Sequence, residues 1–311
     1  MDTVETWLQG RDGIITAAEA ARLGVDNRRL GAMVAKGELV RLTRGVFASR
    51  TAFAAADAAG RHRFRTLAVL RRAPGGWGAS HVSAAVIWGL PVARAALEHV
   101  HVARIGRGPT HRRRHYTVHG CYGPEAFTSH GGVLVVHAAV AVIGTATIHG
   151  LVAGVMAADA AQHQGLTTRA ELDQWLAWHR YVPGVLSARA AVLASDPRCE
   201  SPGESRLRVL LDLLGFDVES QFAIVDDSGQ LIGRVDFLIR SLGVVVEFDG
   251  AVKYGGPADQ GTRALVAEKH REDAIRALGY AVVRVTWADL GYPARVEARI
   301  REAARISRRA A

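Results

Sequence analysis

Gly243-Val244-Val245-Val246-Glu247-Phe248-Asp249-Gly250 is the stretch on which the fold turns. As a strand it places Val244, Val246 and Phe248 on one face and Val245, Glu247 and Asp249 on the other. Two carboxylates on one face of an otherwise apolar strand are costly unless a positive partner neutralises them. A divalent cation is one such partner, because carboxylate oxygens suit Mg²⁺ or Mn²⁺. Arginine is the other, since structural ion pairs leave a similar pattern. Just upstream, Arg234-Val235-Asp236-Phe237-Leu238-Ile239 reads as a second strand with a single acid. A hairpin through residues 240–243 would let Asp236, Glu247 and Asp249 converge.

The segments on either side extend the pattern. Ser201-Pro202-Gly203-Glu204 opens an apolar-periodic run through Leu207, Leu210, Leu211 and Leu214 that ends at Gly215. Ser201 suits an N-cap, Pro202 the first helical position and Gly215 the C-terminal cap. Strands are expected over 216–225, 233–239 and 244–249, then a polar helix over 264–278 and a strand over 281–287. The resulting order is α-β-β-β-α-β.

That order, with Glu204-Ser205, Val235-Asp236-Phe237, Val246-Glu247-Phe248-Asp249-Gly250, Glu268-Lys269-His270-Arg271-Glu272-Asp273 and Leu278-Gly279-Tyr280 before Val283-Arg284-Val285-Thr286-Trp287, resembles the restriction-endonuclease-like PD-(D/E)xK fold. It resembles most the small domains related to very-short-patch-repair (Vsr) nucleases. The resemblance covers about the last third of the chain. It implies a metal held by Asp236, Glu247 and Asp249, with Glu204 completing the shell or orienting water. The sequence departs from the pattern at two places. Asp249 stands where the fold usually has lysine, and Lys253 where Vsr-like domains often have histidine. A lysine at 253 would stabilise charge developing at phosphorus. Glu204 has a second reading, because Ser201-x-x-Glu204 is also a capping box.

The N-terminal fifty residues follow a different logic. Thr3–Gln9 is a short amphipathic segment, and Thr16-Ala17-Ala18-Glu19 is a capping box opening a helix that ends near Leu23-Gly24. Asp26 or Asn27 caps a second helix with Leu30, Met33 and Val34 inward, stopped at Lys36-Gly37. Residues 39–47 then alternate as a two-stranded wing with Arg41 and Arg44 exposed. Helix, turn, helix and wing is the order of a winged helix-turn-helix. Gly13-Ile14-Ile15-Thr16, Ala20-Ala21-Arg22-Leu23-Gly24-Val25 and Gly37-Glu38-Leu39-Val40-Arg41-Leu42-Thr43-Arg44-Gly45-Val46-Phe47 resemble the N-terminal domain of AbiEi-type antitoxins, from toxin–antitoxin and abortive-infection systems. In such folds the second helix enters the major groove by its N-terminal residues. Here those are Asn27, Arg28 and Arg29, with Arg41 and Arg44 on phosphate or minor groove. The implied partners are DNA and either a cognate toxin or a second copy of the chain. Winged helices also serve as protein-docking modules.

Composition bounds the rest. A chain of 311 residues holds two or three domains. The expected division is a winged helix over 1–50, an α/β middle domain over 60–195 and the nuclease-like domain over 197–311. An apolar content of 49% excludes general disorder. The net charge of +9, built far more from arginine than lysine, favours polyanionic partners. Cys121 and Cys199 lack metal-ligand spacing, and no signal peptide is expected from the acidic stretch Met1-Asp2-Thr3-Val4-Glu5. A cytoplasmic protein without a membrane span is the expectation. Residues 138–161 come closest to a span but carry Thr145, Thr147, His149 and Asp159.

In the middle, helices are expected over 61–72 and 80–90, and strands over 98–103, 115–119 and 135–137. Helices are also expected over 147–164 and 170–179. The joint 104–114 holds Arg104, Arg107, Arg112, Arg113 and Arg114 without an acid, and reads equally as a nucleic-acid contact or a solvated hairpin tip. His111, His115 and His119 lack an accompanying carboxylate or cysteine and read as scattered structural histidines.

Two functions fit this sequence. One is a metal-dependent DNA endonuclease delivered by its winged helix, in defence or DNA repair. The other is an AbiEi-like antitoxin or transcriptional regulator whose nuclease-like domain is catalytically idle.

Overall fold

A computed structural model of the chain describes residues 3–10, 12–250 and 258–308. It is a mixed α/β protein of two compact units, one formed by residues 1–157 and 165–192, the other by 158–164 and 193–311. The winged helix and the middle segment fall in the same unit.

The first unit begins with α1 (Thr3–Gly10), β1 (Ile14–Thr16), α2 (Ala17–Arg22), α3 (Asn27–Ala35), β2 (Leu39–Thr43) and β3 (Val46–Ser49). Their sheet runs β1-β3-β2 and is antiparallel throughout. Thr16 caps α2 in the reciprocal arrangement its sequence announced: its Oγ1 accepts the Glu19 N–H, and Glu19 accepts the Thr16 N–H. Asp26, and not Asn27, caps α3, its Oδ1 accepting the Arg29 N–H at 2.7 Å. Val4, Ile15, Val25, Leu30, Leu39 and Phe47 form the buried centre of this fold. The wing turns at Arg44-Gly45, where Gly45 has φ 73°, a value that favours glycine.

The middle segment shares a core with the winged helix, which explains why the two make one unit. After α4 (Arg50–Ala55) comes α5 (Ala58–Leu70). Leu67 and Ala68 of α5 pack on Ile14, Val46 and Ala48. Next are β4 (Trp77–Ala79), α6 (His81–Ile87), β5 (Val100–Ile105), β6 (His111–Arg112), β7 (Tyr116–Tyr122), β8 (Phe127–His130) and β9 (Val133–Val136). They build a six-stranded sheet of order β6-β7-β5-β4-β9-β8. Then follow α7 (Ala138–His163), α8 (Arg169–Trp178) and α9 (Val185–Leu193). The expected strand at 115–119 is longer and starts one residue later, and β4 and β8 were not anticipated. Ser80 stands at the N-cap position of α6, but its side chain makes no cap hydrogen bond there.

Of the described helices, α7 alone has the length and apolarity of a membrane span. Most of its apolar window is buried inside the protein. Gly150, at φ 81° and ψ −172°, breaks it into two helices.

The second unit carries α10 (Pro202–Leu213), β10 (Glu219–Val225), β11 (Leu231–Ile239), β12 (Val244–Asp249), α11 (Ala258–Ala277), β13 (Ala281–Thr286) and α12 (Pro293–Ile306). The sheet order is β10-β11-β12-β13, with two antiparallel pairings and then a parallel one. Helix α11 is the crossover that a parallel pair requires. Val244 and Val246 join Leu207 and Leu211 of α10 and Val296 and Ile300 of α12 in one core. Val245 faces the opposite side, with Ile275 of α11. Both sheet faces are therefore covered, which accounts for the unbroken Val244-Val245-Val246 run.

Candidate functional site: nucleic-acid interface and acid cluster

Asn27, Arg28 and Arg29 occupy the first turn of α3, and all three are exposed. Leu30 and Met33, on the other side of the helix, anchor it in the core. Arg41 lies exposed on β2, its guanidinium 5.3 Å from the Phe47 ring centroid. Arg44 is exposed at the wing turn. Among the described residues, Arg28, Arg41 and Arg44 have no carboxylate partner, so their charge is available to a polyanion. A short helix with a polar, cationic first turn beside a basic hairpin can enter a major groove while the hairpin lies on the backbone.

The acids of the second unit lie where β11 and β12 part. Their pairing ends at Phe237 opposite Val246, and the same register carried one step further sets Asp236 across from Glu247. Asp236 fills the fork, its Oδ2 accepting the Phe248 N–H at 2.7 Å. Glu247 pairs across to Arg284 of β13. Its Oε1 receives Arg271 Nη2 of α11 at 2.8 Å, and its Oε2 lies 3.7 Å from Arg284 Nε. Glu268 binds the same two arginines at 2.6 and 2.9 Å, and Glu272 binds Arg284 at 2.8 Å. These carboxylates hold Arg271 above the usual guanidinium range. The alternative raised for the Glu-x-Asp strand, pairing with arginine, is what Glu247 does here.

Glu204 is buried at the start of α10. Ser201 Oγ accepts its N–H, which is half of a capping box. The other half does not form on Ser201. Glu204 Oε2 instead accepts the Glu200 N–H and Gln221 Nε2, both at 2.9 Å. Gln221 lies on β10 with φ 54°, and the strand register sets it across from Asp236. Sequence reasoning missed this residue; the only signal was its place on a strand one step from the acid row. Asp249 ends β12 and is exposed, and Lys253 lies outside the described residues.

A divalent ion needs carboxylate oxygens free to face it. Both oxygens of Glu247 face arginines, and among the described residues no three His, Cys, Asp or Glu side chains are grouped to hold a metal. As arranged, the Glu247 carboxylate is taken up by Arg271 and Arg284.

His119, unlike the exposed His111 and His115, belongs to a histidine cluster. His119 stacks on His81 with ring centroids 3.7 Å apart, and His119 Nε2 lies 3.0 Å from His101 Nδ1, in hydrogen-bond contact. His81 is buried at φ 49° against Gly144 of α7. Burial pushes His101 down to about 3 and His119 down to about 4, with neighbouring imidazoles adding to the shift. His111 and His115 are exposed. In the basic joint, Arg107, Arg112, Arg113 and Arg114 are exposed, as a solvated tip or a polyanion contact requires.

Residues 2–50, the winged-helix part of the first unit, match the family described as transcriptional regulator, AbiEi antitoxin. Uncharacterized proteins of Mycobacterium tuberculosis strains CDC 1551 and H37Rv are each 28% identical over 144 residues. That is 46% of this chain and 51% of each relative, so the chain spans about half the length of the curated relatives it matches.

Proposed function

We propose that this protein is a DNA-binding transcriptional regulator of the AbiEi antitoxin type. The observation that carries the reading is the exposed Asn27-Arg28-Arg29 turn, held by the Asp26 cap and flanked by Arg41 and Arg44 of the wing. The likeness of residues 2–50 to AbiEi antitoxins supports it, as does the net charge of +9. In this reading Asn27 and Arg28 meet base edges, Arg29 and the wing arginines meet phosphate, and the partners are duplex DNA and a cognate toxin. In this reading the second unit is a nuclease-like module that does not cleave, its Glu247 carboxylate taken up by Arg271 and Arg284. Full-length protein should shift duplex DNA on a native gel, and Asn27→Ala/Arg28→Ala should weaken the shift by about tenfold or more, as loss of base contacts does. An unchanged shift would end this reading.

A second reading keeps the metal-dependent endonuclease. It is favoured by one observation, the Asp236 carboxylate at the fork beside Glu247. Asp236, Glu247 and Asp249 would be the metal carboxylates, Glu204 and Lys253 their helpers, and Arg271 would have to swing away. Nicking of supercoiled plasmid in Mg²⁺ or Mn²⁺, abolished in Glu247→Ala, would favour this reading; intact plasmid would remove it.

A further inference from the structure

Beside the wing, the first unit contains a cavity of about 630 Å³. That volume suits a ligand of small-molecule size. Arg65 of α5 and Arg72, in the turn just beyond the end of that helix, both line it. Both are exposed, and among the described residues neither has a carboxylate partner. Arg72 instead donates a long hydrogen bond of 3.4 Å to Thr43 Oγ1 of β2. Trp77 of β4 and Tyr116 of β7 also line the cavity. Their rings pack against the buried Val100, Val102 and Val118 but are only partly covered. Glu98 is exposed on the rim.

Each of these groups has an ordinary chemical complement. Two guanidinium groups without a carboxylate partner, lining one cavity, suit a phosphate, which they can bind bidentately. Partly open aromatic rings suit a planar base, whose stacking contributes about 1–3 kcal/mol. A lone carboxylate at the edge of a basic site accepts from sugar hydroxyls. One ligand class carries all three complements.

We propose that this cavity is a nucleotide site, with the phosphate between Arg65 and Arg72, the base against Trp77 and Tyr116, and the ribose hydroxyls on Glu98. The nucleotide has two sources, a free mononucleotide or one residue of a nucleic-acid strand. Because Arg72 touches Thr43 of the wing strand, occupancy bears directly on the hairpin that carries Arg41 and Arg44.

The test is titration calorimetry on the full chain with each of the four ribonucleoside 5′-monophosphates, their nucleosides, inorganic phosphate and a short single-stranded oligonucleotide. At least one phosphorylated ligand should bind saturably. Its nucleoside and inorganic phosphate should each bind at least about tenfold more weakly, since each lacks one set of contacts. Arg65→Gln/Arg72→Gln, at exposed positions, should weaken binding about tenfold or more. Trp77→Leu should weaken nucleotide binding but leave inorganic phosphate unchanged. Tighter binding of a mononucleotide than of the oligonucleotide assigns the site to free nucleotide; the reverse order, with the same loss in the arginine variant, assigns it to a strand. Absence of saturable binding by any phosphorylated ligand would overturn the proposal, and so would unchanged binding in the arginine variant.

Discussion

Acidification should destabilise the first unit before its carboxylates are titrated, because His81, His101 and His119 are packed together without charge. Burial holds His101 at about 3 and His119 at about 4, and lowers His81 far from its ordinary range. In an unfolded chain each imidazole titrates near about 6.5. Between those values the unfolded chain binds protons that the folded one does not. Their contribution is therefore complete above about pH 6.5 and is lost as the pH falls toward the folded values. At about pH 5 each imidazole kept neutral costs about 2 kcal/mol, so His101 and His119 together cost about 4 kcal/mol. That is a large part of the 5–15 kcal/mol, roughly, by which a domain is stable. Urea unfolding of wild type and His101→Gln/His119→Gln at about pH 7.5 and about pH 5 measures it. Wild type should lose about 4 kcal/mol more than the variant over this interval. The lowered carboxylates, such as Glu19, lose their contribution only at lower pH and do so in both proteins. Equal pH dependence in the two proteins would refute the reasoning.

Other perturbations have defined outcomes. In the second unit, Arg208 Nη2 lies 3.1 Å from the fully buried Asp159 carboxylate, which also accepts the Asp196 N–H at 2.7 Å. Arg208→Met leaves that carboxylate unpaired and should cost about 3–5 kcal/mol in urea unfolding, with much of it recovered by adding Asp159→Asn. A Cβ on Gly203 would overlap the Phe248 ring, so Gly203→Ala should lower stability by about 1–3 kcal/mol by calorimetric melting. Arg41→Ala/Arg44→Ala should reduce the slope of log affinity against log salt by about 1.8, two phosphate contacts at about 0.9 each, in fluorescence anisotropy with duplex DNA.

Local signals in the sequence located the elements that position both candidate sites. The Thr16–Glu19 capping box, the Lys36-Gly37 stop and the alternation of residues 39–47 marked the winged helix, because caps and strand periodicity are written in neighbouring residues. In the second unit, the bounds of β12 and the order of strands and helices followed the same kind of signal. Long-range partners were not legible. Arg271 and Arg284 reach Glu247 from 24 and 37 positions away in the chain, and nothing near Glu247 distinguishes an arginine partner from a metal. Gln221 had no local mark, since its role depends on strand register and on the Glu204 side chain. His119 was read with its chain neighbours His111 and His115, whereas its partners come from α6 and β5. The strands β4 and β8 are three and four residues long, too short for periodicity to register.

Selection of bound sequences from a random duplex library by the full-length protein tests the central claim most directly. A helix that reads base edges through Asn27 and Arg28 should enrich a recurrent motif, and Asn27→Ala/Arg28→Ala should abolish that enrichment while leaving salt-sensitive binding to unselected DNA. Failure of wild type to enrich any motif, or the same motif from the variant, would contradict a regulator that reads DNA with α3.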